Sequence, residues 1–183
     1  QNEENIFYYI TVYNENYVMP ALPVNKQVED GILKGTYQFS SSINKEGPSV
    51  KLLASGSIMT QVIKAADILK DLGYGVSVWS VTSYNELARE ALSCERYNRL
   101  NPTKNPKIPY VQQCFKNEEE PIIAVTDYMK ALPASISKWM HNNFTVLGTD
   151  GFGLSESREK LRDYFEISTK YIVHAALVSL YSL

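Results

Sequence analysis

The sequence has 183 residues, of which 44% are hydrophobic and 21% charged, as is typical of a folded globular domain. Its 18 basic and 20 acidic side chains give a net charge of −2, which excludes the concentrated basic surface that nucleic acid or an anionic membrane selects. No run approaches the ~20 apolar residues of a membrane span, and two cysteines and two histidines are too few for a disulfide framework or a zinc site. We therefore expect a cytoplasmic protein with no nucleic-acid partner and no membrane partner.

The first 30 residues differ in pattern from the rest of the chain. NIFYYITVY, residues 5–13, is rich in aromatic and β-branched residues and predicts a strand. NENYVMPALP contains Pro20 and Pro23 and predicts an extended linker.

From about residue 31, strands and helices alternate. The predicted strands lie in GTYQF, VKLLA, VSVWSV, PIIAV and FTVL. A helix follows VKLLA, with Ser57 placed to cap it and Gly73 placed to end it. Further helices are predicted from a cap at Ser83 or Asn85, in PYVQQCF, over 129–141, over 155–165, and from Ser168 onward.

This alternation predicts an α/β fold of three layers, α/β/α, with a mostly parallel sheet between helices. The carboxyl ends of parallel strands meet at one edge, where ligand sites of such folds lie. The turns after Leu53, Val81, Val125 and Leu147 should therefore be neighbours.

The last predicted helix is apolar almost all round. Ile172, Ala175, Ala176 and Leu180 share one face, and other apolar residues occupy the rest. A surface helix needs only one apolar stripe. Two interpretations remain open, a fully packed core helix and a helix at an interface with another chain or domain.

A glycine-rich turn, VLGTDGFGLSES, joins the last strand to a helix. Its candidate residues are Gly148, Asp150, Gly151, Gly153, Ser155 and Glu156. The order G-x-x-G-x-G is neither the dinucleotide fingerprint nor a P-loop. Asp150 and Glu156 would repel a phosphate, whereas Arg158, Lys160 and Arg162 are predicted to spread around the helix. We interpret the loop as a structural turn in which Ser155 caps the helix; a small-anion or nucleotide site is the alternative.

No catalytic constellation is evident elsewhere. Ser55 and Ser57 flank Gly56, but the G-x-S-x-G elbow is absent. His141 and His174 have no evident nucleophile beside them. The residues alone thus predict an α/β domain without a self-contained active site.

Several stretches together resemble one family. They are NENYVMPALP, LLASGSI, SVTSYNELAREA, CERYNRLNP, TDYMK and VLGTDGFGLSESREKLRDYFEI. In order and spacing they resemble the C-terminal region of the homodimeric bacterial pyruvate dehydrogenase first components, and more broadly that of transketolase-like enzymes. The chain departs from the family at Leu154, where a basic residue is usual, and at Val18, where histidine is frequent.

The resemblance implies a part of a thiamine-diphosphate enzyme that decarboxylates pyruvate and passes acetyl to lipoyl groups. Residues 1–30 would be the last strand and linker of a preceding pyrimidine-binding domain, and 31–183 a transketolase C-terminal-like domain. The family's Gly-Asp-Gly motif is not matched, because Thr149 precedes Asp150 and no asparagine follows Asn143. Thiamine diphosphate and magnesium are thus expected in the parent enzyme. In this chain we expect no cofactor-binding, metal-binding or catalytic residue, so the isolated chain should be inactive.

The partners implied are the preceding domains of the same chain, a second copy in a homodimer, and the acyltransferase core and lipoyl domains of the complex. The domain's expected role is scaffolding and dimerisation, with the turn from Gly148 to Ser157 as the candidate contact. A stand-alone α/β module that binds a small anion or nucleotide at this turn is the alternative function.

Overall fold

The computed structural model describes residues 7, 10, 12, 13, 15–24, 26–42, 47–116, 120–140 and 143–181. The helices are α1 (Lys26–Lys34), α2 (Met59–Asp71), α3 (Tyr84–Leu100), α4 (Tyr110–Cys114), α5 (Ala131–Ala134), α6 (Arg158–Tyr164) and α7 (Thr169–Tyr181). The strands are β1 (Thr36–Ser42), β2 (Ser49–Ala54), β3 (Gly75–Val81), β4 (Ile122–Val125) and β5 (Phe144–Leu147).

The strands form one sheet in the order β1-β3-β2-β4-β5. β2, β3, β4 and β5 run parallel, while β1 is an antiparallel edge strand that pairs with β3. The predicted mostly parallel sheet is confirmed. The four parallel strands end at one edge, as expected from the turns that follow them.

Each face of the sheet has its own hydrophobic core. Successive residues of a strand point to opposite faces, so Leu52 packs under α2 and α7, whereas Leu53 packs under α3 and α4. Both leucines are fully buried. The fold therefore has the three α/β/α layers that the alternating sequence predicts.

Two helix signals are confirmed and one is wrong. The Ser83 hydroxyl accepts a hydrogen bond from the Glu86 backbone N–H and caps α3. Gly73, at φ +88°, stands in the left-handed conformation that ends α2. Ser57, however, does not cap α2, because it lies inside a 3₁₀ turn, Gly56–Ile58, and its hydroxyl is bonded elsewhere.

The single helix predicted over 129–141 is also wrong in part. The chain forms α5 and then a separate 3₁₀ turn, Ser137–Trp139. Pro133, Ile136 and Trp139 are the buried residues, and their spacing of three matches a 3₁₀ helix better than an α-helix. The buried face thus sets the local geometry. His141 lies outside the described residues.

The amino-terminal segment contains a helix that the sequence did not reveal. α1 crosses the expected boundary at residue 30 and packs on β1, where a Cβ on Gly31 would lie 2.6 Å from the Thr36 carbonyl oxygen. Most of the strand predicted over 5–13 lies outside the described residues. Its described apolar residues Phe7, Ile10 and Val12 are exposed.

The last helix, α7, begins near the predicted residue. Ile172, Ala176 and Ser179 are buried, and the helix packs chiefly on α2. Val178 and Tyr181 are exposed. α7 therefore adds one face to the core, while the prediction that another face meets a partner stays a prediction.

Candidate functional site at the carboxyl edge of the sheet

Polar side chains gather where the central parallel strands end. The Ser55 hydroxyl, after β2, donates to the Val81 carbonyl at the end of β3, at 3.0 Å. The Ser57 hydroxyl donates to the Asp127 carboxylate, after β4, at 2.7 Å. These bonds join loops that are far apart in sequence and fix the edge as one surface.

A phenol is buried beside these groups without a hydrogen-bond partner. The Tyr84 hydroxyl is the buried side-chain oxygen that makes no hydrogen bond among the described residues. Burial raises the pKa of Tyr84, and the nearby Tyr128 raises it further. Tyr84 is therefore a neutral phenol at physiological pH.

The glycine turn begins with a residue that packing requires to be glycine. Gly148 is buried, and a Cβ there would lie 2.7 Å from the Tyr128 carbonyl oxygen and 2.9 Å from the Thr126 hydroxyl oxygen. The Thr149 N–H donates to that same Tyr128 carbonyl at 2.9 Å. The turn is therefore fastened directly to the loop after β4.

Asp150 strengthens the same attachment. Its carboxylate accepts a hydrogen bond from the Lys130 backbone N–H at 3.0 Å and lies 3.8 Å from the Lys130 ammonium. Gly151, at φ +82°, provides the left-handed residue that reverses the chain. These contacts support the structural interpretation of the turn.

The second half of the turn differs from the prediction. Ser155 does not cap α6, because the helix begins later, after Ser157. Glu156 pairs with Lys160 at 3.3 Å and accepts from the Ser157 N–H at 2.8 Å. Gly153 has open space around the position of a Cβ, so packing does not explain it.

The tip of the turn presents apolar surface to solvent. Phe152 is 95% exposed and Leu154 is 49% exposed. Single exposed apolar residues are ordinary on a protein surface, but an exposed aromatic ring and a half-exposed leucine two residues apart on an anchored turn are suited to a contact. This exposure favours an interface at the turn.

An open cleft of about 480 Å³ lies between the turn and α6. Tyr13, Asp127, Phe152, Arg158 and Arg162 contribute to its walls. The two arginines are four residues apart and share a helix face, contrary to the predicted spread around the helix. Arg158 pairs with Glu15 at 2.6 Å, and Asp127, Asp150 and Glu156 add negative charge, so an anion site has little support.

The turn does not fit the metal-bridged diphosphate of thiamine diphosphate. Asp150 is held by Lys130, and no group of three metal-ligating side chains occurs in the described part of the chain.

The thiols offer no nucleophile either. Cys94 is buried, and its Sγ donates to the Glu90 carboxylate at 3.1 Å. Burial, and then Glu90, raise the pKa of Cys94 to about 11. Burial also raises the pKa of Cys114. Both thiols thus remain protonated near neutral pH.

Sequence reasoning missed the pairing of Ser57 with Asp127 and the position of Tyr84. A weak signal existed, since all three follow directly after predicted strands whose ends meet. This signal could not identify the partners, because Ser57 and Asp127 are 70 residues apart in the sequence.

Comparison with known proteins identifies the class of this domain. Residues 35–168 match the family described as the transketolase-like TK C-terminal domain. The chain belongs to this family.

More specific likeness comes from curated relatives. The pyruvate dehydrogenase E1 component of Pseudomonas aeruginosa is 48% identical over 182 residues, which is 98% of this chain and 20% of the relative. That of Escherichia coli K12 is 47% identical over 179 residues, which is 97% of this chain and 20% of the relative. The resemblance predicted from the motifs is confirmed, and the chain spans about a fifth of the length of these relatives.

Solved structures agree on the fold. A transketolase from Pichia stipitis, in complex with sedoheptulose-7-phosphate, superimposes with a TM-score of 0.59 at 18% identity, over 90% of this chain and 20% of that one. Transketolase from Leishmania mexicana superimposes with a TM-score of 0.56 at 19% identity, over 84% of this chain and 19% of that one.

No helix in the described part of the chain has the length and apolar character of a bilayer span.

Proposed function

We propose that this chain is the C-terminal scaffold and dimerisation domain of a pyruvate dehydrogenase, and that its glycine turn contacts another domain or subunit. The parent enzyme would decarboxylate pyruvate oxidatively and transfer acetyl to lipoyl groups. The 48% identity with a named E1 component over 98% of this chain supports this assignment.

The exposed Phe152 carries the proposal for the turn. Gly148 and Asp150 attach the turn to the loop after β4, yet its tip holds an aromatic ring that is 95% exposed. Rigid aromatic anchors bind with little loss of conformational entropy. The turn is therefore suited to fill a pocket on a neighbouring surface.

In this proposal the chain contributes no catalytic residue. We assign thiamine diphosphate and magnesium to the domains that precede it, and we expect a cytoplasmic homodimer that meets the acyltransferase core and lipoyl domains. The two free cysteines are compatible with a reducing compartment. The domain would begin with α1, because α1 packs on β1; the preceding strand and linker would belong to the pyrimidine-binding domain.

The turn is tested in the full-length enzyme with Phe152→Ser and Asp150→Ala. We expect weaker dimerisation by sedimentation velocity, or lower pyruvate-dependent turnover, or both. Leu72→Ala is the matched control, since Leu72 is 57% exposed at the far end of α2. Unchanged assembly and turnover in both turn variants would refute the role of the turn.

A second experiment tests the assignment of the cofactor. Calorimetric titration of this chain with thiamine diphosphate and magnesium should give no saturable heat. Saturable binding would mean that Asp150 and its loop hold part of a cofactor site.

A further inference from the structure

The segment that leads into the domain lies across the carboxyl edge of the sheet. Among the described residues from 12 to 19, Tyr17 is the one that is not exposed. Its ring lies 5.6 Å from the Arg158 guanidinium and 5.9 Å from that of Arg162. These distances are within the range of cation–π attraction.

An acidic side chain adds a second contact to the same helix. Glu15 pairs with Arg158 at 2.6 Å and accepts a hydrogen bond from the Tyr17 hydroxyl at 3.1 Å. Arg162 approaches that hydroxyl at 3.5 Å. Two arginines one helical turn apart thus face one carboxylate and one phenol. The carboxylate neutralises the charge of Arg158, and the phenol ring lies under both guanidinium groups.

Tyr13 attaches the segment to the opposite wall of the edge. Its hydroxyl stands over Gly56, where a Cβ would lie 2.7 Å away, and its ring meets that of Tyr17 edge to face at 5.9 Å. Tyr13 also borders two clefts, of about 480 Å³ beside Phe152 and about 450 Å³ beside Met59. The segment therefore divides what would otherwise be one groove along the edge.

We propose that this groove is a receptor for a segment with the pattern Glu-x-Tyr, and that its occupant is the chain's own Tyr13 and residues 15–17. Arg158 and Arg162 of α6 are the recognition residues. The segment links whatever precedes it to α6 and, through α6, to the glycine turn. This inference does not depend on the proposed function.

The upstream residues indicate where the docked segment begins. Val12 is 86% exposed and Ile10 is 77% exposed. Docking therefore starts near Tyr13, and Glu15 and Tyr17 make the contacts with α6.

The test uses this chain with Tyr17→Ala, Arg158→Ala and Arg162→Ala. Heteronuclear ¹H–¹⁵N NOE values for residues 15–17 should match those of the helices in the original protein and fall in each variant. Chymotryptic cleavage after Tyr17, followed by mass spectrometry in the two arginine variants, should become about five- to tenfold faster because the open population rises. Lys160→Ala is the matched control, since this cation lies on the same helix and pairs with Glu156.

Exchanging the charges of Glu15 and Arg158 distinguishes specific recognition of the segment from a general loss of folding. Glu15→Arg and Arg158→Glu should each release the segment, and the double variant should restore much of its order. Release in the double variant equal to that in the single variants would overturn the proposal. So would unchanged NOE values in the alanine variants, or order at residues 15–17 that depends on protein concentration, because the occupant would then be a second copy.

Discussion

The hydroxyl of Ser57 donates a 2.7 Å hydrogen bond to the carboxylate of Asp127, across the ends of two adjacent parallel strands. This bond explains why Ser57 does not cap α2, because its hydroxyl is bonded to the loop after β4. Both residues sit at the edge where the glycine turn and the leading segment also meet. Their pairing is therefore a structural determinant of the candidate site.

Replacing Ser57 with alanine should lower the free energy of unfolding by about 1–2 kcal/mol, because the buried end of a charge-assisted hydrogen bond is lost. Urea denaturation measures this difference. Ser93→Ala is the control, since the Ser93 hydroxyl donates to the Arg89 carbonyl on an exposed face of its own helix. Equal losses in the two variants would contradict a special role for the pair.

Gly148→Ala should destabilise the domain by about 1–3 kcal/mol, because the added methyl group meets the Tyr128 carbonyl and the Thr126 hydroxyl. Gly153→Ala lies in the same turn and meets no atom within 4 Å, so its effect should be small. Thermal unfolding of the two variants checks this contrast. Similar midpoints would show that the turn adjusts freely at both positions.

Tyr84→Phe should leave the domain equally stable or slightly more stable. The Tyr84 hydroxyl is buried without a hydrogen-bond partner, so its removal abolishes a desolvation cost. Tyr110→Phe is the contrasting variant, because the Tyr110 hydroxyl donates to the Thr36 carbonyl at 3.0 Å, and it should lose about 1 kcal/mol. Chemical denaturation that ranks the two in the opposite order would refute this account.

Glu95 should make the domain sensitive to acid. Hydrogen bonding from Lys138 and, to a lesser extent, from the Trp139 indole lowers the pKa of Glu95 below its usual value of 4.5. The Glu95 carboxyl is thus a stronger acid in the folded state than in the unfolded state. Its contribution to the free energy of unfolding is fully present above about pH 4.5 and is lost as the pH falls through the lower, folded-state pKa.

The measurement is the free energy of unfolding of the original protein and of Glu95→Gln from pH 7 to pH 3. Glutamine keeps an acceptor for Trp139 but cannot titrate, so the variant should lose less stability in acid. Glu159→Gln is the control, because this carboxylate is exposed on α6 and is remote from Lys138 in the sequence. Parallel curves for the original protein and Glu95→Gln would contradict the prediction.

The predictable part of the candidate site was its location. Strand ends after Ala54, Val81, Val125 and Leu147 follow from apolar runs bounded by polar loops, and parallel strands bring such ends together. The glycine turn was likewise visible as a motif. Its attachment through Asp150 to Lys130 was not, because a hydrogen bond over 20 residues has no local signal.

Local sequence signals predict the α/β class, the order of the five strands, a cap of α3 at Ser83 or Asn85 and the end of α2 at Gly73. These features depend on local conformational preference and on the period of two along a strand, which neighbouring residues fix. Long-range packing, by contrast, sets the bond from Ser57 to Asp127, the break of the helix predicted over 129–141 and the docking of Tyr17 on α6. Each of these depends on which distant side chain arrives at a surface, and burial or charge pairing there outweighs the local preference of the chain.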